Sequence, residues 1–137
     1  MAAMAKLAAE NFYKPLRNLE PVVIGPVFEG SRLVGGADAD LICGGMLIEL
    51  KTNRGDKNGN ERRLYLGRTD GLDQLIGYVL LDFHDEHRMN AVAVYAARWG
   101  RLARWPLTDF MNTLAGRTVN LADERSTFST LLERLEQ

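Results

Sequence analysis

Between Gly36 and Lys51 the chain reads G-A-D-A-D-L-I-C-G-G-M-L-I-E-L-K. Gly44-Gly45 sits between two apolar runs, and a glycine pair can take the positive φ angles of a primed two-residue hairpin turn. A hairpin closed there sets Cys43 opposite Met46, Ile42 opposite Leu47, and Leu41 opposite Ile48. It continues with Asp40 opposite Glu49 and Asp38 opposite Lys51. Side chains alternate along a strand, so Asp38, Asp40, Glu49 and Lys51 are expected on one face. Opposed Cβ atoms lie about 4.5–5.5 Å apart, so Asp40 and Glu49 can share one cation. Without a cation or an ammonium, opposed like charges destabilise a sheet, and Asp and Glu are poor strand formers. A solvated face with an ordinary Asp38–Lys51 ion pair is the bland alternative. Two opposed acids inside an apolar hairpin favour a site.

The remaining elements must carry that face. A helix is expected from about Ala2 to Tyr13, ending before Pro15, with Pro21–Phe28 extended, its prolines suiting an edge strand or a bulge. The hairpin spans Leu33–Leu50, and the polar stretch Thr52–Gly67 reads as a loop. Thr69 or Asp70 can cap a helix running to about Asp82, with Leu72, Leu75, Ile76, Val79 and Leu80 as its apolar stripe. Met89–Arg98 reads as a strand with Val92, Val94 and Ala96 on one face. A Trp99-Gly100 turn leads into Arg101–Pro106. Helices around Thr108–Leu114 and Ser126–Glu136 follow, the second with a stripe of Phe128, Leu131, Leu132 and Leu135. Interleaved strands and helices predict an α/β (α+β-like) domain, a mixed β-sheet flanked by helices.

Composition fits that picture. The chain has 137 residues, 46% hydrophobic and 26% charged, enough to build one core. No apolar run approaches the roughly 18 residues of a membrane span, and the N-terminal segment lacks the continuous apolar stretch of a secretory signal. The single cysteine, Cys43, excludes an internal disulfide and points to a reducing, cytoplasmic setting; its place on the hairpin predicts a buried thiol. The formal net charge of −1 argues against a wholly basic nucleic-acid binder. Local clusters still matter. Arg54, Lys57, Arg62, Arg63 and Arg68 outnumber Asp56 and Glu61 in one stretch, and Arg98, Arg101 and Arg104 form a second cluster.

On the helix after the loop, Gln74 and Tyr78 are four residues apart and share a flank. An amide and a phenol there can hydrogen-bond a phosphate or a water. From about Val34 to Asp82 the chain resembles the PD-(D/E)xK nuclease superfamily. Asp40, the glycine turn, and Glu49-Leu50-Lys51 as the E-x-K element appear in the family's order. Gln74-x-x-x-Tyr78 is similar to the Q-x-x-x-Y helix motif of the branch with RecB-type and lambda-exonuclease-like nucleases. An E-x-K tripeptide alone carries almost no information; the four features in this order are fairly specific.

The resemblance implies a restriction-endonuclease-like fold and metal-dependent hydrolysis of phosphodiester bonds, DNA ahead of RNA. Mg²⁺ is the implied cofactor, with Mn²⁺ as a substitute. Asp40 and Glu49 would be its protein ligands and the Leu50 carbonyl a third, an oxygen set that a hard cation prefers. Lys51 would orient or deprotonate the attacking water and stabilise the developing charge. Gln74 and Tyr78 would position water or phosphate, and Arg54, Lys57, Arg62, Arg63 and Arg68 would hold the nucleic-acid backbone. Asp38 competes with Asp40, which is preferred because it faces Glu49 and precedes Leu41-Ile42.

Many members of that superfamily also draw a glutamate from a helix before the hairpin. Glu10, Glu20 and Glu29 are the candidates here, with Glu10 the choice because it lies on the N-terminal helix. So small a core is expected to act as a homodimer, with a partner, or fused to a recognition domain. The alternative is a catalytically weak or inactive nucleic-acid-binding or assembly module on the same fold. A hydrolase of small phosphoesters is a third option. His84 and His87, flanking Asp85-Glu86, suggest a transition-metal site less than a helix end facing water. Trp99 and Trp105 suggest packing more than base stacking.

Overall fold

The computed structural model describes residues 2–52 and 71–137. Five strands form one mixed sheet: β1 (Val22–Ile24), β2 (Leu41–Cys43), β3 (Met46–Lys51), β4 (Ala91–Ala96) and β5 (Arg101–Pro106). They lie in chain order, antiparallel except for the parallel pair β3–β4. Parallel neighbours need a long crossover, and that connection contains helix α3 (Asp73–Leu81). The tight turn has the expected register, with Cys43 on Met46, Ile42 on Leu47 and Leu41 on Ile48. Gly44 and Gly45 have φ of 58° and 80°, the left-handed angles such a turn requires.

The hairpin is shorter than Leu33–Leu50. Its first limb begins at Leu41, and Glu29–Val34 forms a 3₁₀ helix instead. Before Leu41 the chain swings toward β1: Asp38 bridges Val27, and Gly25 N–H donates to the Asp40 carbonyl. Ser31 holds this excursion. Its buried hydroxyl accepts from Phe28 N–H at 2.9 Å and donates to Ala37 O at 2.5 Å. Gly35 and Gly36, at φ of 79° and 100°, then reverse the chain. The expected Asp40–Glu49 and Asp38–Lys51 pairs are therefore both absent from the ladder, which ends at Leu41–Ile48.

Both faces of the sheet are covered, which explains the continuous apolar runs Met46–Ile48 of β3 and Ala91–Ala96 of β4. On one face, Ile42, Leu47, Val92 and Val94 pack with Leu75 and Val79 of α3 and with Leu107, Phe110 and Met111 of α4 (Leu107–Ala115). On the other, Cys43, Met46, Ile48, Ala93 and Tyr95 pack against Leu16, Phe12 and Ala8. Those last residues belong to a helical run that passes Pro15 rather than stopping before it. It comprises α1 (Ala2–Ala8), a wider turn (Ala9–Tyr13) and α2 (Lys14–Leu16). Lys14 N–H reaches back five residues to the Ala9 carbonyl, just ahead of a proline with no N–H to give.

Helix α5 (Leu121–Leu135) starts earlier than expected, because Asn120 Oδ1 caps Asp123 N–H at 3.2 Å. Of the expected stripe, Phe128 and Leu132 pack on the core, whereas Leu131 and Leu135 are 52% and 75% exposed. Arg125 is buried there, its Nε donating to the Val79 carbonyl at 2.9 Å and its Nη1 lying 3.2 Å from Asp85. Among the described residues no helix is long and apolar enough to cross a membrane.

Candidate functional site

Pleating decides what reaches the site. Leu47, Glu49 and Lys51 alternate with Met46, Ile48 and Leu50 along β3, so the two charged residues follow Leu47 onto the α3 side. Glu49 is buried and Lys51 half-buried. The Lys51 ammonium donates to Glu49 Oε1 at 3.0 Å and to Gln74 Oε1 at 3.1 Å. Gln74 is the exposed first-turn amide of α3, whose Leu75 and Val79 fix the helix against the sheet. The expected Lys51–Asp38 pairing is thus replaced by contacts to Glu49 and Gln74.

Asp40 arrives from the excursion. Because strand pairing ends at Leu41 and Ala39 N–H turns to the Pro26 carbonyl, Leu50 N–H is met by a side chain: Asp40 Oδ2 accepts it at 2.7 Å. The carboxylate is anchored to the backbone beside Glu49. Burial raises the Glu49 carboxyl above its ordinary range, the Lys51 hydrogen bond opposes that, and Asp40 raises it again. The phenol of Tyr78 is also held above its usual range, first by burial and then by Glu49, Asp40 and Asp38. Its ring stacks on Phe28, centroids 5.5 Å apart and 22° from parallel.

Asp40, Glu49, Lys51, Gln74 and Tyr78 therefore form one electrostatically connected group. Asp38 stands at its margin, exposed on its bridge to Val27. Glu10 is not part of it, since the N-terminal run packs on the opposite face of the sheet. Glu29 pairs with His84, at 2.7 Å, and Glu20 is exposed ahead of β1. Arg54, Lys57, Arg62, Arg63 and Arg68, and the caps Thr69 and Asp70, lie outside the described residues.

The two histidines do not converge. His84 takes the Glu29 carboxylate, and His87 Nε2 lies 3.0 Å from the Val27 carbonyl. Buried Asp82 between them and α3 accepts Glu86 and His87 N–H at 2.9 and 3.1 Å. Trp105 packs against Phe110, and Cys43 is a buried thiol whose desolvation raises its pKa.

Among the described residues no three His, Cys, Asp or Glu side chains converge as a metal-holding group. Two carboxylates do converge, and a hard divalent cation is commonly held by one or two carboxylates with retained water. Asp40, Glu49 and the Leu50 carbonyl would supply that oxygen set. Sequence reasoning passed over Phe28 and Ser31, which support Tyr78 and the Asp40 excursion; the serine three residues after an aromatic gives little local signal. No protein-family model matches this chain, and neither a curated protein nor a solved structure matches it.

Proposed function

We propose that this chain is a metal-dependent nuclease that hydrolyses phosphodiester bonds, DNA ahead of RNA, on a restriction-endonuclease-like fold. The observation that carries the proposal is the Lys51 ammonium held between Glu49 and Gln74 beside the anchored Asp40 carboxylate. Bond cleavage at a phosphodiester needs a positioned water and relief of charge on the phosphoryl oxygens. Asp40, Glu49 and the Leu50 carbonyl would hold Mg²⁺, or Mn²⁺ in its place; when bound, the ion supplies Lewis acidity and an acidified water. Lys51, already oriented by two acceptors, would donate to the phosphate or guide the attacking water. Gln74 would fix that water through its amide, and Tyr78 would donate its phenolic proton to a substrate oxygen. Burial of Glu49 and Tyr78 lowers the local dielectric and strengthens each of these contacts. A reducing cytoplasm is the compartment in which Cys43 stays a thiol.

A second reading has one observation in its favour. Lys51 already neutralises Glu49, so the protein can keep this pair as a structural element of a catalytically weak nucleic-acid-binding module. Incubation with labelled single- and double-stranded DNA and Mg²⁺ separates the two. Cleavage that EDTA abolishes supports the nuclease; binding without cleavage, and no heat of Mg²⁺ or Mn²⁺ binding by calorimetry, supports the module.

A further inference from the structure

The chain's overall charge of −1 conceals a strong asymmetry. Residues 2–19 and 97–106 contain Lys6, Lys14, Arg17, Arg98, Arg101 and Arg104 against the single acid Glu10. The fold brings these two segments together, for the N-terminal helical run packs on the sheet beside Leu102 and Tyr95. Gly100, at φ 61°, seats the β4–β5 turn on that run so closely that an added Cβ would lie 2.8 Å from Leu7 Cβ. Between them opens a groove of about 770 Å³ lined by Glu10, Asn11, Trp99, Arg101 and Arg104 among others, two arginines against one acid. Both arginines are solvent-exposed.

The groove adjoins the candidate site at one end of the sheet. Ala97 N–H donates to the Lys51 carbonyl at 2.9 Å, and Arg98 Nε donates to the Thr52 carbonyl at 2.9 Å. A chain of phosphates leaving the Glu49–Lys51 side would meet Arg98 first and the groove next. The groove wraps the end of the sheet: Arg104, opposite Ala93, is on the face away from the site, whereas Arg101, level with Ala96 and Lys51, is on the site's side. A duplex is stiff over about 50 nm, so it cannot turn round a sheet end, whereas a single strand can. An indole beside two guanidinium groups is also the composition that single-strand grooves use, a stacking surface within a positive channel.

We propose that the groove between the N-terminal helical run and the β4–β5 turn binds single-stranded nucleic acid continuous with the strand at the Asp40–Glu49–Lys51 site. Arg101 and Arg104 take phosphates and Trp99 takes a base. The assignment rests on the nuclease reading for its orientation, but its test does not require cleavage. Fluorescence anisotropy with labelled oligothymidylate and an equal-length duplex, in EDTA across a salt series, reads it directly. Oligothymidylate binds more tightly than the duplex. Arg101→Ala/Arg104→Ala weakens it about tenfold at low salt and flattens the log K against log salt slope by about 1.4, two phosphates on a single strand. Arg101→Lys/Arg104→Lys keeps the charge and the slope. Trp99→Ala weakens binding with the slope unchanged, and Trp99→Phe restores it.

A slope unmoved by the alanine pair, in a variant with wild-type circular dichroism, overturns the proposal; so does duplex bound as tightly as oligothymidylate. Cleavage lost in Glu49→Gln with the salt slope unmoved by the arginine pair overturns the groove alone. Binding through these arginines by a wild type that cleaves nothing overturns the hydrolytic reading and leaves the groove.

Discussion

The Lys51 ammonium lies 3.0 Å from Glu49 Oε1, two residues back along the same face of β3. This contact sets a buried carboxylate beside an ammonium at the edge of the core, with Gln74 as the ammonium's second acceptor. Breaking it has consequences for stability that are separate from catalysis. Lys51→Met leaves Glu49 buried without its partner and should destabilise the metal-free protein by about 1–3 kcal/mol. The double variant Lys51→Met/Glu49→Gln removes the stranded charge and should recover part of the loss. Urea denaturation of the three proteins checks the pair; no loss in Lys51→Met means the contact carries no stability.

Tyr78→Phe separates packing from chemistry. The ring stack on Phe28 survives, and the removed hydroxyl is one that burial and three acids already disfavour in its ionised form. Stability should stay within about 0.5 kcal/mol of wild type. The cleavage rate should fall by about tenfold to a hundredfold, the span of a lost transition-state hydrogen bond. Equal rates would remove Tyr78 from the site.

Ser31→Ala tests the clasp that delivers Asp40. The buried hydroxyl holds Phe28 N–H and the Ala37 carbonyl, and its loss leaves both without that partner. A cost of about 2 kcal/mol is expected from chemical denaturation. Hydrogen exchange at the amide of Leu50, which Asp40 accepts, should quicken in the same variant. Unchanged Leu50 protection would show that Asp40 holds its place without the serine.

The exposed His84–Glu29 pair has a pH signature. The Glu29 hydrogen bond, and then its charge, raise His84 above its ordinary 6.5. A folded-state pKa above the unfolded one contributes stability that is fully present below pH 6.5. It is lost as pH rises through the elevated value. Glu29→Gln should therefore lower the His84 midpoint in an NMR titration and erase the stability difference on the acid side. A midpoint that does not move would show that the pair does not form in solution.

Sheet periodicity and the glycine turn made part of the candidate group's arrangement readable in advance. Two-residue alternation placed Glu49 and Lys51 together, and four-residue spacing placed Gln74 and Tyr78 on one flank of α3. The Asp38–Lys51 pairing was not readable, because it depends on where strand pairing stops. That point is set by Ser31, Ala39 and Gly25 bonding to residues remote from the turn. The start of α5 was hidden by the polar run Asp123–Ser126, in which Arg125 turns inward to the Val79 carbonyl. Pro15 misled for a related reason: a wider turn ahead of it absorbs the missing N–H, and Leu16 packing retains the helix.

The central claim is that the Asp40, Glu49 and Lys51 group hydrolyses phosphodiester bonds. Single-turnover cleavage of labelled DNA at saturating Mg²⁺, comparing wild type with Glu49→Gln and Lys51→Ala, tests it most directly. The predicted result is cleavage by wild type that stops in EDTA and falls at least about a hundredfold in each variant. No cleavage by wild type, or equal rates in all three folded proteins, would contradict it.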